Sequence, residues 1–96
     1  MKLYMISYTL RDGHGPEHYI DFIRKIKSVG PWQHPTENTW FVLSDMSATE
    51  LYRELMVQGL FAGLIVSEVV PGSTTGYMSK DTALWIGEVA KRMTEP

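Results

Sequence analysis

The chain of 96 residues contains no cysteine, and this absence excludes several kinds of site. Without a thiol there is no disulfide framework, no cysteine-ligated zinc centre and no thiol nucleophile. Proteins of the reducing cytoplasm, where we expect this one to act, have no need of disulfides. The chain also lacks any apolar run near the roughly 18 residues that a membrane span needs, so we expect no membrane partner.

Positive charge is scarce as well. Nine Lys and Arg residues against eleven Asp and Glu residues give a net charge of −2 at pH 7. Proteins that bind nucleic acid usually carry an excess of positive charge, so the net charge does not support nucleic acid as a partner. Arg24, Lys25 and Lys27 nevertheless form a local basic cluster on a predicted helix, which can meet an acidic or phosphate-bearing partner.

The pattern of apolar residues predicts six elements within residues 1–70. Strands are predicted where β-branched and aromatic residues lie between turn residues, and helices where apolar residues recur at i, i+3 and i+4. Local signals mark both helix starts: Pro16 precedes the first helix, and the capping box Ser47–Glu50 precedes the second. The predicted elements are a strand Leu3–Leu10, a helix Glu17–Val29, a hairpin of strands Pro31–His34 and Thr39–Leu43, a helix Ala48–Met56 and a strand Leu64–Val70.

This element order, β-α-β-β-α-β, is that of the ferredoxin-like α+β fold. We therefore expect an antiparallel sheet with strand order 4-1-3-2 and with both helices on one face. Residues 71–80 are predicted to form a flexible connector, because they are rich in Gly, Ser and Thr. Residues 81–96 are predicted to form an extra C-terminal helix, so that the whole chain makes a single domain.

Both faces of the predicted sheet carry apolar side chains. The first strand places Tyr4 and Ile6 on one face and Leu3 and Met5 on the other. Because two helices cover only one face, we expect the C-terminal helix, a second subunit, or both to bury the other face. A homodimer is the expected assembly.

Residues 4 to 70 carry a family resemblance, most specifically in the spacing of Lys27-Ser28, Trp32-x-His34 and Thr39-Trp40. These residues resemble the SinR-like family of short bacterial and phage proteins, whose members are largely of unknown function. That family is similar in fold to the small CRISPR-associated integration-complex protein and to the virulence-associated protein D ribonucleases. The resemblance therefore implies a ferredoxin-like homodimer.

In those distant relatives, metal-dependent nuclease activity is attributed to an acidic residue that directly follows a tyrosine of the first strand. The corresponding residue here is Thr9, which cannot supply the anionic oxygen that holds Mg²⁺ near a phosphate. We therefore expect no catalytic residues, no metal site and no cofactor. In the alternative, a diverged nuclease, Asp12 replaces the missing acid from three residues further along the chain.

The segment Ser28–Val42 contains the strongest candidate binding site. Trp32 and His34 alternate onto one face of a predicted strand, and Trp40 returns on the neighbouring strand. One interpretation is an aromatic surface that stacks a base or a ligand ring. The other is ordinary packing, in which the indoles fill the sheet surface and His34 forms a local hydrogen bond.

Two weaker patterns indicate structure more than function. Gly13-x-Gly15 begins a dinucleotide fingerprint, but His18 occupies the place of its third glycine, so a tight connecting loop is favoured. Pro16 places His14 outside the first helix, so His14 and His18 share no helical face that could hold a metal.

Taken together, these patterns predict a non-catalytic binding or interaction module that acts as a homodimer. Its alternatives are the diverged nuclease and a small-ligand regulatory domain.

Overall fold

A computed structural model describes residues 1–94 and shows an α+β chain with a four-stranded antiparallel sheet and three α-helices. None of the helices in this range is both long and apolar enough to span a membrane. The elements in chain order are β1 (Lys2–Leu10), α1 (Pro16–Val29), β2 (Trp32–Thr36), β3 (Thr39–Ser44), α2 (Ala48–Leu55), β4 (Phe61–Glu68), a 3₁₀ turn (Pro71–Ser73) and α3 (Lys80–Thr94).

The strands lie in the order β2-β3-β1-β4, which is the predicted order 4-1-3-2 taken from the other edge. β1 is central and pairs antiparallel with β3 on one side and with β4 on the other. β2 pairs only with β3, and β4 only with β1, so β2 and β4 are the two edges of the sheet.

The first face of the sheet is buried beneath α1 and α2. Phe22 and Ile26 of α1, together with Leu51 and Leu55 of α2, are completely buried. These four side chains pack against the sheet residues Tyr4, Ile6, Tyr8, Trp40 and Val42. The prediction that both helices share one face is therefore confirmed.

The predicted capping box at the start of α2 is also confirmed. The Ser47 Oγ accepts a hydrogen bond from the Glu50 N–H at 3.1 Å, and the Glu50 Oε1 accepts one from the Ser47 N–H at 3.2 Å. The hydrogen bonds from Ser47 hold the pKa of the Glu50 carboxyl below its ordinary value. Two backbone donors that the helix itself leaves unpaired are satisfied in this way.

The second face of the sheet is covered in part by α3 of the same chain. Ile86 and Val89 of α3 are buried against Leu3 of β1 and Phe41 of β3. At the other end of this face, Thr9 is exposed. The C-terminal helix is thus a cover within its own subunit, and it leaves part of the second face exposed.

The hairpin strand β2 is longer than predicted. It continues through Pro35 to Thr36, and the turn is confined to residues 37–38. The predicted turn at residues 35–38 is wrong, because Pro35 lies at an irregularity of the edge strand β2 where it has no partner residue in β3, so its missing N–H removes no bond of the sheet. The pairing of β2 with β3 shifts register between Gln33 and Thr36, which accommodates the ring.

The last strand begins and ends earlier than predicted. β4 is Phe61–Glu68 and not Leu64–Val70, and Gly63 lies inside the strand where a loop was expected. Gly63 pairs with Thr9, where the register of β1 and β4 shifts. Glycine is common inside a strand at such a bulge.

Two smaller differences concern the helices. Tyr52 follows the apolar spacing of α2, yet 41% of it is exposed. The connector predicted over 71–80 begins with the 3₁₀ turn, and α3 begins at Lys80. The last two residues of the predicted segment 81–96 lie outside the described residues.

Candidate ligand-binding site at the β2 edge

The structure brings the three predicted site residues together. The His34 ring stacks on Trp40, with centroids 3.9 Å apart and planes inclined by 13°. The Trp32 ring lies 5.2 Å from Trp40 at an angle of 54°. Trp32 of β2 pairs with Val42 of β3. Because the strands are antiparallel, His34, two residues after Trp32, lies opposite Trp40, two residues before Val42, on the same face of the sheet. We call these three residues the ring cluster.

The members of the ring cluster differ in exposure. Trp40 is only 2% exposed and packs in the core beneath the helices, as the packing interpretation expected. Trp32 is 37% exposed and His34 is exposed too, so these two rings form the surface of the cluster. Trp40 therefore supports the other two rings from below.

His34 forms the local hydrogen bond that the packing interpretation expected. Its Nε2 lies 3.0 Å from the backbone oxygen of Glu37. Because a carbonyl oxygen only accepts, Nε2 carries the proton and donates it. The Nδ1 atom has no hydrogen-bond partner within residues 1–94, which leaves it available to a ligand.

Tyr8 holds Trp40 in place from the core. The Trp40 indole N–H donates to the Tyr8 Oη at 3.1 Å, and this Oη lies 3.3 Å from the Tyr19 Oη. The Tyr8 hydroxyl also donates to the Glu37 oxygen at 3.4 Å. Burial raises the pKa of Tyr8 well above its usual range, and the hydrogen bond with Tyr19 adds to this effect. Tyr8 therefore stays neutral at physiological pH.

Sequence reasoning noticed Tyr8 only as part of the family resemblance. A signal was present, because Tyr4, Ile6 and Tyr8 recur with a period of two on the buried face of β1. A buried tyrosine hydroxyl needs a hydrogen-bond partner. The identity of that partner depends on the neighbouring strand, which a single sequence does not reveal.

A cation lies beside the exposed rings. The Lys27 Nζ is 5.1 Å from the centroid of the Trp32 ring, within the range of a cation–π interaction. The two residues meet because α1 ends at Val29 and the chain turns through Gly30 into β2. Gly30 approaches the backbone oxygen of Leu43 so closely that a Cβ atom would clash with it.

Lys27 also belongs to a groove along α1. Arg24 lines the same groove, which has a volume of about 320 Å³ and an apolar floor. We call it the α1 groove, and its lining residues are Tyr19, Ile20, Ile23, Arg24 and Lys27. Arg24 has a loose ion pair with Asp21 at 3.6 Å, with both side chains mostly exposed, so its charge remains accessible to a ligand.

The three residues of the predicted basic cluster line two grooves. Lys25 lines a different groove, together with Asp21 and Val57, and Arg24 lines both grooves. Only Arg24 and Lys27 lie in the α1 groove, beside the ring cluster. These two cations and the exposed rings form one continuous surface that suits a ligand with a planar ring and negative charge.

The candidate nuclease residues lie elsewhere. Thr9 follows Tyr8 in β1 and therefore points to the opposite face of the sheet from the ring cluster. Asp12 is exposed in the turn between β1 and α1. Within residues 1–94, no three His, Asp or Glu side chains converge as metal ligands would.

Compared with known proteins, the chain matches no family model, no curated protein and no solved structure. The resemblance to the SinR-like family therefore stays a prediction.

Proposed function

We propose that this protein is a non-catalytic binding module of the cytoplasm that works as a homodimer and binds single-stranded nucleic acid. The observation that carries this proposal is the Lys27 ammonium 5.1 Å from the exposed Trp32 ring, at the end of a groove that Arg24 also lines. We further propose a ferredoxin-like architecture and membership of the SinR-like family. The strand order β2-β3-β1-β4 supports the architecture.

Single-strand binding combines aromatic rings on which bases stack with positive charge along the backbone, and stacking contributes about 1–3 kcal/mol per base. A base that stacks on Trp32 or His34 brings its phosphate toward Lys27 and Arg24. Because the ring cluster exposes two rings, Trp32 and His34, we expect one or two bases to bind at each site.

The charges of the chain predict weak and salt-dependent binding. The net charge of −2 opposes the approach of a polyanion, so attraction is confined to the α1 groove. For a single strand, each phosphate contact makes the slope of log binding constant against log salt concentration more negative by about 0.7. Two phosphate contacts therefore predict a slope of about −1.4.

The proposal is tested by fluorescence anisotropy with a labelled single-stranded oligothymidine. We expect Trp32→Ala to weaken binding by about 5- to 150-fold, the equivalent of one lost stacking contact. Lys27→Gln should weaken binding and make the salt slope shallower. Lys25→Gln is the matched control, because it removes the same charge from the same helix but from a different groove.

Equal affinities for the wild type, Lys27→Gln and Lys25→Gln would contradict the site, and no binding at low salt would contradict the function. A mononucleotide that binds as tightly as the oligonucleotide would favour the small-ligand regulatory domain instead.

A further inference from the structure

The two edges of the sheet differ in how well they are protected from pairing with another strand. β2 has five residues, contains Pro35 and shifts register, all of which hinder the addition of a strand. β4 has eight residues, no proline and no charged residue before Glu68. A long apolar edge without such protection is a surface for strand pairing.

Some backbone N–H and C=O groups of β4 point away from β1. The Val69 N–H donates to the Leu3 oxygen of β1 at 2.9 Å. Along an antiparallel strand the direction of these groups alternates, so Ile65 also faces β1, whereas Leu64 and Val66 turn their N–H and C=O groups outward. Within residues 1–94, β4 pairs only with β1, so no strand lies beside the outward groups of Leu64 and Val66.

The side chains along this edge are apolar on both faces of the sheet. Ile65 is 63% exposed on the second face, beyond the reach of α3. On the first face, Leu64 and Val66 line a groove of about 340 Å³ with Tyr52, which is 41% exposed. A partner strand would bury apolar surface on both faces and also pair the outward backbone groups.

We propose that β4 pairs antiparallel with β4 of a second copy of this chain, around a twofold axis at Ile65. This inference rests on the proposed homodimer and names its contact. The two sheets then join into one of eight strands.

The register follows from the backbone geometry. Ile65 lies opposite Ile65 of the partner subunit, and Leu64 opposite Val66 of the partner subunit, so that the outward groups of Leu64 and Val66 bond to each other across the axis. This register pairs residues 62–68 of the two copies, which is nearly the whole of β4 (Phe61–Glu68).

The charges also favour a second copy as the occupant. In this register Glu68, the charged residue of β4, lies opposite Ala62 of the partner subunit, and no two like charges face each other along the strand. The contact is one strand and its neighbouring side chains, less than the roughly 800 Å² per partner of a standard interface. We therefore expect a dimer that dissociates on dilution.

Sedimentation velocity over a dilution series tests the contact. Ile65→Lys places two ammonium groups opposite each other and should leave a folded monomer at concentrations where the wild type is dimeric. Leu84→Lys is the matched control, since Leu84 is 60% exposed on α3, and it should stay dimeric. Mixing Ile65→Lys with Ile65→Glu should restore the dimer through opposite charges.

Cross-linking tests the register. The chain has no cysteine, so a single substitution supplies the only thiol. Ile65→Cys should form a disulfide-linked dimer on mild oxidation, because facing residues at a non-hydrogen-bonded position have Cβ atoms about 4.5–5.5 Å apart. Ser67→Cys on the same face should not, because the two thiols are offset by four residues, roughly 13 Å along the strand.

A wild type that is monomeric at all concentrations would overturn both the homodimer and its contact. A dimer that persists in Ile65→Lys and does not cross-link through Ile65→Cys would overturn the β4 contact alone. Oligonucleotide binding is measured at the β2 edge, so its failure is separate from either result.

Discussion

Trp40 links the core of this protein to its candidate binding surface. The His34 ring stacks on one face of the Trp40 ring, and the Trp40 indole N–H donates a hydrogen bond to the buried hydroxyl of Tyr8. The position of the exposed rings therefore depends on a hydrogen bond inside the core. Its strength can be measured without knowing the ligand.

Tyr8→Phe removes the acceptor of the Trp40 indole N–H and leaves that donor buried without a partner. We expect the free energy of unfolding at pH 7 to fall by about 1–3 kcal/mol, measured by chemical denaturation. Tyr52→Phe is the control, because the Tyr52 hydroxyl is on an exposed side chain and has no hydrogen bond within residues 1–94. Equal stabilities of the two variants would contradict the role assigned to Tyr8.

The same residue predicts a dependence on alkaline pH. Burial raises the pKa of Tyr8 well above its ordinary value of 10.0, so the hydroxyl ionises more readily in the unfolded chain. The stability that it contributes is complete below pH 10 and is lost as the pH rises further. The difference in unfolding free energy between the wild type and Tyr8→Phe should therefore shrink above pH 10. A difference that grows there would contradict the raised pKa.

Thr9 carries the prediction that separates a binding module from a nuclease. Since threonine supplies no anionic oxygen for Mg²⁺, we expect no cleavage of single- or double-stranded DNA or RNA with Mg²⁺ or Mn²⁺. Cleavage that disappears in Asp12→Asn would show that Asp12 supplies the missing acid and that the nuclease alternative is correct.

At the scale of the elements, local signals were enough to predict the helices of the first face. The spacing of Phe22 and Ile26, and the capping box of α2, act within a few residues of the chain. The ends of β2 and β4 were predicted wrongly, because the effect of Pro35 and Gly63 depends on which neighbouring strand is present. Edge position and bulges are properties of the assembled sheet.

In the candidate site, too, the features set by local sequence were predicted and those set by neighbouring elements were not. The alternation of Trp32 and His34 and the return of Trp40 predicted that the three rings meet. The cation beside Trp32 was not predicted as part of the site, because it depends on how closely α1 lies to β2 at the turn through Gly30. The C-terminal helix was predicted from its spacing, but its attachment to its own sheet was one of the alternatives that the sequence left open.

α3 provides a stability prediction at this scale. Ile86 is 6% exposed against Leu3 and Phe41, whereas Leu84 is 60% exposed. We expect Ile86→Ala to lower the free energy of unfolding by about 2–5 kcal/mol, and Leu84→Ala to change it by less than about 0.5 kcal/mol. Equal effects in thermal or chemical denaturation would show that α3 does not cover the second face in solution.

At the scale of the whole molecule, the two edges of the sheet have separate roles in this account. The ring cluster and the α1 groove lie at the β2 edge, and the proposed subunit contact lies at the β4 edge. In the proposed dimer both ring clusters lie on the same face of one sheet, since residues opposite each other across the axis share a face. Seven spacings of about 4.8 Å separate the two outer strands by roughly 34 Å.

This arrangement predicts an effect of oligonucleotide length. A single strand that spans about 34 Å can occupy both sites of one dimer and gains affinity from the second contact, whereas a shorter strand occupies one. The long strand should bind the wild type more tightly than Ile65→Lys, and the short strand should bind both equally. Anisotropy at a concentration where the wild type is dimeric measures this, and a difference that is independent of length would contradict it.

Nuclear magnetic resonance of the indole N–H groups tests the central claim most directly. The chain has three tryptophans, of which Trp32 lies at the proposed site, whereas Trp85 belongs to α3 and packs against the second face. On titration with a single-stranded oligonucleotide, we predict that the Trp32 indole signal shifts progressively to saturation while the Trp85 signal stays in place. A Trp32 signal that does not move, or shifts confined to Trp85, would contradict nucleic-acid binding at the ring cluster.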